Sequence, residues 1–211
     1  MDEKKLSNLL EIFLTVQVSK ELPRQGFLYS GFKRAEADSV AAHSFSVCVL
    51  TYLLARELKE EGWKVNPDEA LKIALMHDLG ESITGDIGTY AKELARGIFD
   101  KVEVEAFRLL MRNTSNKKEL TKYFNAYMDP KSLEAQIVKF ADSLDAFAQA
   151  FTTSNAVIED LEENMKIISK KKIKDPKLRA LFNTSIRLIS NKKVTLYKGH
   201  MGKNDETQET L

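Results

Sequence analysis

Residues 129–151 read Asp-Pro-Lys-Ser-Leu-Glu-Ala-Gln-Ile-Val-Lys-Phe-Ala-Asp-Ser-Leu-Asp-Ala-Phe-Ala-Gln-Ala-Phe. Leu133, Ile137, Phe140, Leu144, Phe147 and Phe151 recur at steps of 4, 3, 4, 3 and 4, the period of one helix face rather than the alternation of a strand. The spacing predicts a long helix, with Asp129 as its cap and Pro130 as its first residue. Two acids, Asp142 and Asp145, stand three apart on one side of this strongly apolar stretch. Burying a carboxylate without a partner costs several kcal/mol. Each of them must therefore meet a cation, a metal ion or water.

The same period runs outward in both directions. Leu6, Leu9, Leu10, Phe13 and Val16 mark a first helix. Residues 21–38 contain Pro23, Gly26 and Gly31 and read as a long irregular loop, a kind that is usually functional or disordered. A helix from about Ser39 to Glu61 carries His43, Val47, Leu50 and Leu54 on one stripe. The next opens at Asn66, with Pro67 as first residue, Glu69 as reciprocal capping partner and Gly80 as terminator. Helices follow at about 88–113, 117–127 and 176–192, and the central helix continues through Ile158, Leu161, Met165 and Ile168 after a weak point near Thr152–Asn155. Lys170, Lys171, Lys172 and Lys174 follow the acids Glu159, Asp160, Glu162 and Glu163 and read as a solvated, salt-bridged surface. With nine Gly and four Pro in 211 residues and few runs at period two, the fold class is all-α. We expect a single bundle of about seven to nine helices over residues 1–197 and a polar, flexible tail over 198–211.

Composition narrows the function. Lys and Arg number 32 against 31 Asp and Glu, a formal charge of +1. This argues against a protein that binds nucleic acid by neutralising many phosphates, but leaves room for a cluster that holds one. The single cysteine, Cys48, excludes an internal disulfide and a multi-cysteine zinc site. No apolar run approaches the ~18 residues of a membrane span. The acidic start Met1-Asp2-Glu3 does not read as a signal peptide. The expectation is a cytoplasmic protein without nucleic-acid or membrane partners.

Of three histidines, two fall on apolar faces. His43 shares the stripe of Val47, and His77 follows Ile73 by four residues at the end of its helix, with Asp78 next in line. An aspartate at a helix C-terminus has the wrong sign for the helix dipole unless a cation compensates. Two inward imidazoles and inward carboxylates form a donor set suited to Mn, Fe, Co, Ni or Zn. A buried histidine is equally at home as a hydrogen-bonded core residue, and spacing alone leaves both readings open.

The order of these residues resembles a known family. Arg24-Gln25-Gly26-Phe27, Ser39-Val40-Ala41-Ala42-His43-Ser44, Ala74-Leu75-Met76-His77-Asp78-Leu79-Gly80-Glu81, Gly85-Asp86-Ile87 and Glu134 to Asp145 together resemble the HD-domain superfamily of metal-dependent phosphohydrolases. Within it, the likeness is to the 5′-deoxynucleotidase group, oxetanocin-like members included, and covers about residues 6–155. The resemblance implies an HD-domain bundle with its metal site in the core. One divalent transition metal would be held by His43, His77, Asp78 and Asp142. Glu81 corresponds to a catalytic acid, Asp86 to a second acid at the substrate pocket and Arg24 to a phosphate-binding arginine. Phe27 would pack on sugar or base, and Lys139 either contacts the substrate or pairs with a helix neighbour. Three features depart from the pattern. Ala42 replaces the acid that usually precedes the first histidine, the loop 34–39 is about two residues longer, and Phe27 stands where many relatives have tryptophan.

The implied function is removal of the 5′-phosphate from (deoxy)ribonucleoside 5′-monophosphates by metal-activated water, in a homodimer for which exposed parts of the apolar stripes beyond residue 144 could supply the interface. The alternatives are an HD phosphohydrolase acting on a cyclic nucleotide or a (p)ppGpp-type alarmone, and a non-catalytic metal- and nucleotide-binding sensor.

Overall fold

The computed structural model describes residues 1–153 and 158–194. The tail expected at 198–211, the domain end at 197 and residues 154–157 of the weak point lie outside the described residues. Eleven α-helices run through the described residues: α1 (Glu3–Val16), α2 (Gln25–Tyr29), α3 (Val40–Glu60), α4 (Pro67–Met76), α5 (Glu81–Thr84), α6 (Thr89–Leu94), α7 (Ile98–Leu110), α8 (Lys117–Met128), α9 (Leu133–Thr153), α10 (Ile158–Lys172) and α11 (Pro176–Ser190). The all-α expectation holds. The excess over seven to nine comes from α2, α5 and α6, each of six residues or fewer. Among the described residues, β-type pairing is confined to one isolated antiparallel bridge between Pro23 and Ser39.

The 21-residue helices α3 and α9 form the central pair, and α4 packs against both. On α3 the meeting face is the predicted stripe at Val47, but α9 meets α3 and α4 through residues beside its predicted stripe: Val47, Ile73, Ala74, Val138 and Ala141 are buried together. The other side of α9 is covered by α10 and α11, where Phe140, Phe147, Leu178, Phe182 and Ile186 make the largest core cluster. Phe140 and Phe182 meet edge to face at 5.2 Å, a favoured aromatic geometry. A second layer, α7 on α8, is joined by the stacked rings of Phe107 and Phe124 at 4.3 Å. No described helix is long and apolar enough to cross a membrane.

Several boundaries differ from expectation. Asp129 closes α8, and Ser132 caps α9 by accepting from the Ala135 N–H at 3.2 Å, so Pro130 lies in the connection. Asn66 caps α4 as expected, but its own N–H donates to Glu134 at 2.9 Å rather than to Glu69, which faces Lys122. Gly80 does not end α4 in a left-handed turn. Its φ is −61°, and it lies so close to α7 that a Cβ there would stand 3.1 Å from the Glu103 carbonyl oxygen. The helix expected over 88–113 breaks where Arg96 and Gly97 take positive φ, which separates α6 from α7. The loop 21–38 contains α2 and the Pro23–Ser39 bridge. The stripe beyond residue 144, whose exposed parts were expected to supply an interface, has Phe147 0% exposed and Met165 9% exposed within the chain.

Phe182→Ala should lower unfolding stability by ~3–5 kcal/mol, as for large-to-small changes at sealed core sites. A urea titration followed by circular dichroism checks it; a loss below ~1 kcal/mol would show that the α9–α11 core repacks freely.

Candidate active site

His43 projects from the first turns of α3 towards α9 and is 1% exposed. Its Nδ1 lies 2.6 Å from Asp145 Oδ2 and its Nε2 lies 3.5 Å from Asp142 Oδ1. The two acids three apart on α9 thus take the two nitrogens of one ring on the facing helix. His77 caps the C-terminus of α4, where its Nδ1 reaches the Ala74 carbonyl at 2.7 Å. Asp78 follows in the turn to α5, and its Oδ2 approaches His77 Nε2 at 3.0 Å and His43 Nε2 at 3.6 Å. Neighbours that diverge on an ideal helix converge here because the helix has just ended.

These contacts fix the ring tautomers. Asp145 and the Ala74 carbonyl can only accept, so each Nδ1 carries the proton that it donates, and in the neutral ring each Nε2 presents a lone pair. Both Nε2 atoms are buried without a hydrogen-bond partner. They face carboxylate oxygens, which are also acceptors. His43, His77 and Asp78 have ligand atoms within 4.8 Å of one another. Four acceptors converging without a proton between them are the donor set of a divalent cation, so these residues fit one. In the ion-free chain the same demand shows in the proton affinities. Burial and Arg24 oppose charge on His43, yet Asp142, Asp145 and Asp78 raise it to about 9. Burial opposes charge on Asp142 too, but Lys172 and His43 hold it well below the usual carboxylate range.

Around this cluster lies a cavity of about 610 Å³. Glu81 opens α5, three residues past Asp78, with its N–H donating to the Asp78 carbonyl at 3.0 Å. The residue is 7% exposed, and Oε2 has no hydrogen-bond partner. Burial, with Asp78 and Asp86 adding, pushes it up to about 10. A bound cation would act in the opposite direction. Asp86 follows Gly85, whose φ of 76° turns the chain back towards α2, and accepts from the Gln25 N–H at 2.5 Å. Arg24 caps α2 at the cavity wall; burial disfavours its charge, but Asp142, Asp78, Asp86 and Glu81 outweigh that and raise its pKa. Phe27 lines the cavity and packs edge-on to Phe32 at 5.1 Å. Lys139 is on α9, its ammonium 3.1 Å from the centre of the Tyr127 ring; burial and Lys172 push it down to about 7.

The nine residues that the family resemblance implicates therefore gather around one cavity and its floor. Sequence reasoning missed others. Tyr127 donates to Asp142 Oδ2 at 3.0 Å, and Lys172 reaches the same oxygen at 3.3 Å. The expectation of a wholly solvated lysine run is thereby corrected. The sign was available: Met165, Ile168 and Lys172 step by 3 and 4, so Lys172 continues the apolar stripe of α10. Leu120, Phe124 and Tyr127 repeat this at steps of 4 and 3 on α8. Lys92, on α6, enters the wall paired with Glu103 at 2.5 Å. The acid that orients His43 is Asp145, which comes from α9.

Comparison with known proteins points the same way. The HD domain family model matches residues 16–181. The chain is 33% identical to 5′-deoxynucleotidase hdd1 of Schizosaccharomyces pombe over 63% of its own length and 65% of that protein's. It is 31% identical to 5′-deoxynucleotidase HDDC2 of Bos taurus over 74% of its own length and 70% of that protein's. The chain thus spans about two thirds of these two relatives. A crystal structure of a Pyrococcus horikoshii protein superposes with a TM-score of 0.69 at 33% identity, covering 85% of this chain and 99% of that one. The match across most of the chain, on a helical bundle whose core gathers His43, His77, Asp78 and Asp142, makes this protein a member of the HD domain family.

Proposed function

We propose that the protein is a phosphoric monoester hydrolase of the 5′-deoxynucleotidase type. It removes the 5′-phosphate from deoxyribonucleoside 5′-monophosphates and uses one divalent transition metal among Mn, Co, Fe, Ni and Zn. The observation that carries this reading is the pair of buried, unpartnered Nε2 atoms facing Asp78 and Asp142, with Glu81 alongside at the floor of a nucleotide-sized cavity. The names of the hdd1 and HDDC2 relatives support it.

His43, His77, Asp78 and Asp142 are the ligands in this reading. When bound, a divalent ion lowers the pKa of water and offsets charge on a phosphoryl oxygen. The chain's own groups do the rest. Arg24 donates to the phosphate with its planar fork and so neutralises charge that accumulates in the transition state. Glu81, with one oxygen free, takes the proton as water attacks phosphorus. The P–O5′ bond breaks, the proton that Glu81 took passes to O5′, and nucleoside and inorganic phosphate are the products. Asp86, held through Oδ2 by the Gln25 N–H, keeps its other oxygen for the sugar or the attacking water. Phe27 packs against sugar or base, and Lys139 faces the substrate from the Tyr127 ring. The reading places the enzyme with its substrates in the cytoplasm as a homodimer. The exposed apolar face of α1, Leu6, Leu10 and Phe13, supports association of copies.

A phosphate-release screen over nucleoside and deoxynucleoside 5′-monophosphates with Mn²⁺ or Co²⁺ tests the activity; no release from any monophosphate would overturn it. Glu81→Gln should lower turnover by about 10²–10⁴-fold while metal content stays at that of the parent. Loss of the metal would make Glu81 a ligand instead. The same variant carries a pH signature in chelator-treated protein. Glu81 has its pKa raised from 4.5 to about 10 in the fold, so between those values the folded chain keeps a proton that the unfolded chain has released. Stability of the ion-free parent therefore falls as pH rises through that window. Glu81→Gln should melt higher than the parent at about pH 8, the gap narrowing towards about pH 5, in thermal scans. Arg24→Ala should raise KM strongly, and Arg24→Lys should restore only part of it, as initial-rate kinetics would show.

A further inference from the structure

Lys172 occupies the last turn of α10, and its ammonium lies 3.3 Å from Asp142 Oδ2. With Met165 and Ile168 of the same stripe it lines the cavity, its side chain 40% exposed. As an ion-pair partner for Asp142 it is not indispensable, because the Tyr127 hydroxyl donates to the same oxygen at 3.0 Å. If the lysine moves away, Asp142 is left with a donor on Oδ2 and with Oδ1 directed at His43.

Charge decides where the ammonium goes. A divalent ion balances Asp78 and Asp142, and it then repels a lysine held against one of them. A phosphate monoester brings close to two negative charges at neutral pH. Arg24 supplies one positive charge. Among the other described cations of the cavity wall, Lys92 is committed to Glu103 and Lys139 sits on the Tyr127 ring, where burial weakens its hold on a proton. Lys172 is the cation with a flexible stem, an open side and a partner it can leave.

We propose that Lys172 is a phosphate-binding residue: in the ion-loaded protein its ammonium leaves Asp142 and binds a phosphoryl oxygen of the nucleotide. The inference rests on the phosphatase reading of the site and adds to it a second cation, from a helix beyond the stretch that carries the family motifs.

The test uses the full chain loaded with Mn²⁺, excess ion removed, and titrated with inorganic phosphate by calorimetry. In parallel, chelator-treated protein is titrated with Mn²⁺. Lys172→Met should weaken phosphate binding by about tenfold to a hundredfold, the effect of one charge-assisted hydrogen bond. Mn²⁺ affinity should not fall, since Tyr127 still holds Asp142 and a cation that the ion must displace is gone. Lys172→Arg should recover part of the phosphate affinity. If Lys172→Met binds phosphate as the parent does, or loses Mn²⁺ and phosphate together, the lysine only supports Asp142 and the inference fails, with the phosphatase reading intact. If the loaded parent binds no phosphate, that reading fails and takes the inference with it.

Discussion

One imidazole sets the terms for this structure. His43 is buried between α3 and α9 with both ring nitrogens facing carboxylates of a single helix, Asp142 and Asp145. A hydrogen-bonded ring in this position aligns the two longest helices side to side and in register. A shift of α9 by one residue would turn both acids away by ~100° and strand the histidine. The polar contact thus adds to the apolar stripe a constraint that the stripe lacks, because hydrophobic burial is not directional. The short approach of Nδ1 to Asp145 is the kind of contact that fixes a tautomer and a ring orientation together.

The second constraint is electrostatic. Asp78, Asp142, Glu81 and Asp86 all border one cavity, and their charges are compensated piecemeal. Lys172 and Tyr127 take one oxygen of Asp142, the Gln25 N–H takes one of Asp86, and Arg24 stands within the influence of all four. In their neutral form the imidazole rings add Nε2 acceptors rather than donors. The packed bundle supplies the rigidity that keeps such a set together, since Val47, Ala74, Val138 and Ala141 lie buried among the helices that carry it. The protein's stability and its chemistry therefore meet on the same two helices.

How much of this was legible in the sequence depends on the kind of signal. Leu133 to Phe151 announced α9, and Asn66-Pro67 announced the start of α4, because period and cap chemistry are local. His43, His77, Asp78 and Asp142 stood out because polar residues on apolar faces need a reason to be there. The misses are all tertiary. Gly80 looked like a helix terminator, but its lack of a side chain serves the close approach of α5 to α7. Lys172 looked like solvated surface because its neighbours Lys170 and Lys171 set the local composition, while its own position on the stripe was outvoted. Tyr127 became meaningful only when the fold brought Asp142 beside it, whereas Asp145 stood out as an inward acid whose partner, His43, only the fold revealed.

The break at Arg96 and Gly97 leaves α6 as a six-residue segment with no buried residue, yet its Thr89 and Lys92 form part of the cavity wall. Leu94 is 85% exposed and Tyr90 is 71% exposed. Few apolar contacts bind this segment to the bundle, so its local opening costs far less free energy than opening α3 or α9. The site is consequently asymmetric in its support: a floor built into the core helices, and one wall that rests on few apolar contacts and is the cheapest part of the cavity to deform.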